Sequence, residues 1–220
     1  MTILTAKLQR PYTIKEEVWS SIIHGLGIAL SIAGLVVLVV LAAKYRDAWT
    51  VVSTAIFGAS MIILYTASTV YHAIPNLEIK QKLKKFDHIS IYYLIAGSYT
   101  PFLLVCMRGT LGWTIFGIIW ALALTGTILK LVTSGNGTKL WSIGLYLIMG
   151  WMIVIASKQL VTALPPLGLK FLILGGVFYT SGILFYIWKS RRYTHAIWHG
   201  FVLSGTIMHF FAVLYSCVLI

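Results

Sequence analysis

Apolar residues fall into seven long runs, and the stretches between them are short and hold most of the charge. The runs are 18–43, 50–73, 88–107, 113–131, 141–160, 171–188 and 195–220. Each comes close to the roughly 20 residues a helix needs to cross the hydrocarbon core of a bilayer. The pattern predicts an all-α membrane protein, a seven-helix transmembrane bundle. The fifth run is the least regular, because Lys158 lies near its end and Pro165-Pro166 follow it. The first 17 residues form a basic tail, and residues 18–220 form the bundle, read as a single domain. The first apolar run is long enough to span, and Lys7, Arg10, Lys15, Glu16 and Glu17 precede it, so it reads as a helix rather than a cleavable signal.

Composition agrees. Of 220 residues 59% are hydrophobic and only 10% are charged. The mean hydropathy is +0.91. A soluble domain of this size would lack polar cover. The expected location is the cell membrane, with the chain crossing it several times and lipids as its partners.

Lysine and arginine set the expected orientation. One side of the predicted topology carries Lys7, Arg10, Lys15, Lys80, Lys82, Lys84, Lys85, Lys130, Lys139, Lys189, Arg191 and Arg192. The other carries Lys44, Arg46, Arg108, Lys158 and Lys170. The richer side is cytoplasmic by the positive-inside rule, which places the N-terminus inside and the C-terminus outside. The net charge of +12 is thus spent in loops beside membrane spans, and no nucleic-acid partner is implied. Trp19, Trp49, Trp113, Trp141 and Trp188 fall at span ends, as an interfacial aromatic belt requires.

Against this background the histidines stand out. His24, His72, His88, His195 and His199 all reach the cytoplasmic end of the bundle by separate routes, and Asp87 and Ser68 fall in the same layer. Ionisable groups at membrane depth are costly, so their clustering marks a site. His195 and His199 share one helical face, about 6 Å apart along the axis. Two imidazoles so placed can ligate one metal ion, and His72 supplies a third. Three protein ligands with one open position describe a catalytic zinc site. Asp87 then serves as general base or orients a water, and Ser68 hydrogen-bonds that water or a substrate oxygen.

Plainer roles stand beside these. Asp87 can simply cap the third helix, Ser68 can bond a carbonyl of its own helix, and Glu16 and Glu17 can favour the first helix through its dipole. His24 is read as lying beside the site, as are His88 and Glu17. His209, deeper in the last span, is read as a buried hydrogen-bonded histidine. Cys106 and Cys217 both fall near outer span ends, where packing is the simpler reading and a disulfide stays open. Asn136-Gly137-Thr138 matches a glycosylation sequon on the cytoplasmic side, so Gly135 and Gly137 are read as turn residues instead.

Several stretches together resemble the hemolysin III family, within the progestin and adipoQ receptor superfamily. They are 17–24 (EVWSSIIH), 68–72 (STVYH), 86–102 (FDHISIYYLIAGSYTPF), the Gly150-Trp151 pair and 195–211 (HAIWHGFVLSGTIMHFF), and the likeness runs over 16–218. The resemblance implies seven helices with a cytoplasmic N-terminus. It also implies a zinc ion on His72, His195 and His199, with Ser68 and Asp87 nearby. The chain departs from the bacterial family pattern at Ser20, where relatives usually carry Asn.

Three functions compete. A zinc-dependent hydrolase of lipid amides or esters suits an open metal site at headgroup depth, and kinship with ceramidase-like enzymes implies it. A pore-forming cytolysin follows from the family name, but the spans are apolar nearly throughout. A regulator or receptor of membrane-lipid homeostasis would use the zinc only to tie helices together.

Overall fold

Thr13 opens the first helix. Its hydroxyl accepts from the Glu16 N–H while the Glu16 carboxylate accepts from the Thr13 N–H, a reciprocal capping box. The computed structural model describes residues 12–133, 138–188 and 190–220. Asn136 of the sequon, the turn at Gly135 and Gly137, Lys189 and most of the basic tail lie outside these described residues. In chain order the helices are α1 (Ile14–Tyr45), α2 (Ala48–Ala73), α3 (Leu77–Pro101), α4 (Thr110–Val132), α5 (Thr138–Trp151), α6 (Ser157–Ala163), α7 (Pro166–Ile187) and α8 (Thr194–Val213). A π-turn lengthens α3 through Phe102–Cys106 and another lengthens α8 through Leu214–Val218. Among the described residues seven helical stretches are long and apolar enough to cross a membrane, α5 and α6 together forming the fifth.

Much of the inward face of α1 is small or polar. Its buried positions include Ser20, His24, Gly27, Ser31 and Gly34, with Leu38 and Ala42 further along, while Val18, Ile22, Leu26 and Leu30 face outward. Small residues let helices approach closely where the solvent is lipid. A Cβ on Gly27 would come within 2.5 Å of the Tyr65 ring. That ring cannot retreat easily, because the Tyr65 hydroxyl donates to Thr206 Oγ1 at 2.7 Å. Helices α1, α2, α3 and α8 meet around this seam, and a second apolar cluster joins α3, α4 and α5.

Two elements differ most from the sequence reading. Helix α3 begins at Leu77, not at residue 88. The Asn76 side chain caps it by accepting from the N–H groups of Glu78 and Ile79. Residues 77–86 are polar but rich in good helix formers, so hydropathy sees the membrane edge and not the helix end. Asp87 therefore sits well inside a helix and is not its cap, and Lys80, Lys82, Lys84 and Lys85 are helical rather than in a loop.

The fifth span, read from the sequence as one run, is broken. Between α5 and α6 the chain tightens to a 3₁₀ turn, Met152–Ala156. Tyr99 of α3 repairs the break. Its hydroxyl lies 2.8 Å from the carbonyls of both Met149 and Gly150 and accepts from the Ile153 N–H at 3.1 Å. Backbone groups freed inside a bilayer need such partners.

Candidate metal centre

The last turn of α2 and the first two turns of α8 end in the same layer of the bundle. His72 comes from the first, His195 and His199 from the second, and all three are buried. One ligand nitrogen from each lies within 4.8 Å of the others. The Nε2 atoms of His72 and His199 are 3.0 Å apart. The spacing of His195 and His199 on one helical face does what the sequence predicted, and His72 completes the set.

The outward nitrogens are each held by a different residue. His72 Nδ1 is 2.6 Å from Glu17 Oε2. His195 Nδ1 is 3.1 Å from the Tyr12 hydroxyl, and the Tyr12 ring stacks on the imidazole at 4.3 Å. His199 Nδ1 is 2.8 Å from His24 Nε2. His195 Nε2, by contrast, is buried without a hydrogen-bond partner among the described residues. A ligating histidine typically commits its second nitrogen to a partner that fixes tautomer and ring plane. Three imidazoles restrained this way, with an orphaned buried nitrogen among them, form a group that can hold a metal ion.

The support extends outward from Glu17. Lys80 Nζ lies 3.0 Å from the same Glu17 oxygen that faces His72. It also donates to the carbonyls of Tyr71 at 2.8 Å, His72 at 3.1 Å and Ile74 at 3.3 Å. One buried ammonium thus closes the C-terminal end of α2 and neutralises the carboxylate that orients His72. Glu17 does more than favour a helix dipole. Glu16 reaches across as well, its Oε1 accepting from the Tyr193 N–H at 2.8 Å. Tyr193 has the left-handed φ of 64°, an uncommon conformation for a residue with a side chain, and it stands two residues before His195. Glu16 therefore pins the turn from which α8 starts.

Asp87 and Ser68 also meet. Both are buried, the hydroxyl lies beside the carboxyl group, and His72 is near enough to act on it electrostatically. Asp87 opens onto a cavity of about 300 Å³, which His195, Tyr12, Tyr71, His88 and Tyr186 also line. His88 belongs to this cavity wall and not to the converging nitrogens. Lys84, Arg191 and Arg192 give the cavity a basic margin. His24 is the partner of His199. His209 packs between α7 and α8 against Tyr179, away from the cluster.

Sequence reasoning missed Tyr12 and Lys80. Tyr12 precedes the first helix and belongs to no periodic pattern. Burial pushes its phenol pKa up, so it stays protonated at neutral pH. Lys80 was one of several basic residues assigned to topology. The Asn76 cap, which puts Lys80 on the first turn of a helix, was the available signal.

These features define a multi-pass membrane protein with a buried three-histidine centre at one end of a seven-helix bundle. The chain belongs to the haemolysin III family: the family model described as "Haemolysin-III related" matches residues 12–210. It is 48% identical to the "Hemolysin-3 homolog" of Bacillus subtilis (strain 168) over 94% of this chain and 97% of that one. It is 42% identical to "Hemolysin-3" of Bacillus cereus over 96% and 97% of the two chains. A human relative, "Monocyte to macrophage differentiation factor", is 30% identical over 76% of this chain and 71% of its own length.

Proposed function

We propose that this protein is a zinc-dependent membrane hydrolase, with its site at the cytoplasmic end of the bundle, that cleaves lipid amide or ester bonds. The observation that carries the reading is the arrangement of three buried imidazoles, each restrained at Nδ1, beside Asp87 and a polar cavity. The all-nitrogen ligand set favours zinc over magnesium or calcium, which prefer oxygen. The ion on His72, His195 and His199 would supply Lewis acidity and lower the pKa of water toward neutrality.

The chain's own residues supply the rest. Asp87 takes a proton from water at its carboxylate oxygen and returns it to the departing nitrogen or oxygen of the lipid. Ser68, whose buried hydroxyl has no hydrogen-bond partner among the described residues, bonds that water or a substrate oxygen. Tyr12 and Tyr186 shape the cavity so that a headgroup enters while acyl chains stay in the bilayer. The basic residues at this end, from α3, α4 and the α7–α8 turn, support the cytoplasmic placement.

Elemental analysis of the purified protein tests the metal. About one zinc per chain is expected, and its loss in His195→Ala. Turnover of a panel of lipid amides and esters in mixed micelles tests the chemistry: activity is expected for the native protein, and Asp87→Asn should retain zinc but lose activity. Zinc-loaded native protein that turns over no lipid on the panel would sink the hydrolase reading. One observation favours a non-enzymatic alternative. The ligands come from α2 and α8 and their outer partners largely from α1, so a metal would lock three helices together. Collapse of stability with chelator, while Asp87→Asn is silent, selects that reading. The lytic activity suggested by the names of the bacterial relatives is tested by single-channel recording of the purified protein in planar bilayers.

A further inference from the structure

At the end of the bundle opposite the histidines, α3 and α8 finish in the same unusual way. Each passes from α-helix into a single π-turn, Phe102–Cys106 on one and Leu214–Val218 on the other, and the two turns pack together. Isolated π-turns are rare and occur frequently at functional sites. Here they bring together the chain's two cysteines. Cys106 Sγ lies 2.9 Å from Cys217 Sγ, and the Cys106 thiol also donates to the Ser216 carbonyl at 3.1 Å. A disulfide requires about 2.05 Å, so closing the bond needs the sulfurs to approach by about 0.9 Å.

We propose that Cys106 and Cys217 are a disulfide site that fastens the outer end of α3 to that of α8. The accessibilities fit an ordered reaction, since Cys106 is half-buried and Cys217 is fully buried. The Cys106 thiolate attacks the disulfide of an oxidant, either a small-molecule disulfide or a thioredoxin-fold disulfide protein, and releases one oxidant thiol. The Cys217 thiolate then attacks Cys106 Sγ and expels the second. Two protein thiols become one disulfide, and the oxidant's disulfide becomes two thiols, which carry away both protons. The orientation proposed above puts this end in the oxidising extracytoplasmic space, and the inference rests on that orientation but not on any hydrolase activity. The fastened helices are those that carry Asp87, His195 and His199 in their other halves, so the bond also limits how far these helices can splay.

Cells expressing the full chain are lysed in N-ethylmaleimide, and the membrane fraction is digested without reductant for mass spectrometry. A linked peptide pair containing Cys106 and Cys217 is expected. Recovery of both cysteines as maleimide adducts overturns the proposal. A parallel arm treats reduced, purified protein with oxidised glutathione. If the bond closes there but not in cells, the compartment is wrong and the orientation falls with the proposal; if it closes in neither, the geometry is at fault. The melting temperature of the oxidised protein should fall on reduction, and that of Cys106→Ala should not respond to reductant. A wild-type protein equally insensitive to reductant would count against the tether.

Discussion

Glu17 Oε2 sits 2.6 Å from His72 Nδ1, joining the first turn of α1 to the last turn of α2 through one buried hydrogen bond. Lys80 binds the same carboxylate oxygen, so Glu17 is fixed from two directions. A carboxylate behind a histidine holds the ring plane and makes its other nitrogen a better ligand. Glu17→Gln removes the charge and keeps the size. Metal affinity in that variant should fall by about 10- to 100-fold, read by competition with a chromogenic chelator. Unchanged affinity would mean that His72 needs no orienting group.

Tyr12 holds His195 by a hydrogen bond and a ring stack at once. Tyr12→Phe deletes only the hydroxyl. A neutral hydroxyl contributes less than a charged partner, so the loss of metal affinity should be about tenfold or less, and smaller than for Glu17→Gln. The same chelator titration ranks the two variants, and the reverse ranking would contradict this account.

The Tyr99 hydroxyl serves the backbone of the broken fifth span at three points. In Tyr99→Phe these buried groups lose their partner at a cost of about 1–3 kcal/mol. Thermal unfolding in detergent should show a lower midpoint. Metal content should stay at the native level, because Tyr99 takes no part in the histidine cluster.

Asp47 caps α2 through the Thr50 hydroxyl and N–H, and Arg108 lies 3.3 Å away. The Thr50 hydroxyl first, then the Thr50 N–H, holds the Asp47 carboxyl below the usual carboxylate range. A group whose folded pKa is depressed contributes stability that is fully present above its unfolded pKa, about 3.9, and is lost as pH falls through the folded value. The melting temperature of the native protein should therefore drop relative to Asp47→Asn below about pH 4 and not between pH 5 and 8. Solvent around this exposed group keeps the difference small.

Much of this architecture is written in simple patterns. Lipid demands long apolar runs, which marks every span. An i, i+4 pair has only one helical geometry, which marks His195 and His199. Helix ends were harder to read. Asn76 and the polar residues after it form three turns of α3 that hydropathy cannot distinguish from loop, and this obscured both the setting of Asp87 and the role of Lys80.

Span number and the layer in which the histidines lie follow from local periodicity and from the cost of placing polar groups in a membrane. What holds each histidine does not. Glu17 on His72, Tyr12 on His195, His24 on His199 and the pairing of Cys106 with Cys217 all join residues far apart in the chain. Such contacts depend on helix rotation, tilt and the depth of each turn, which arise when all the helices pack at once.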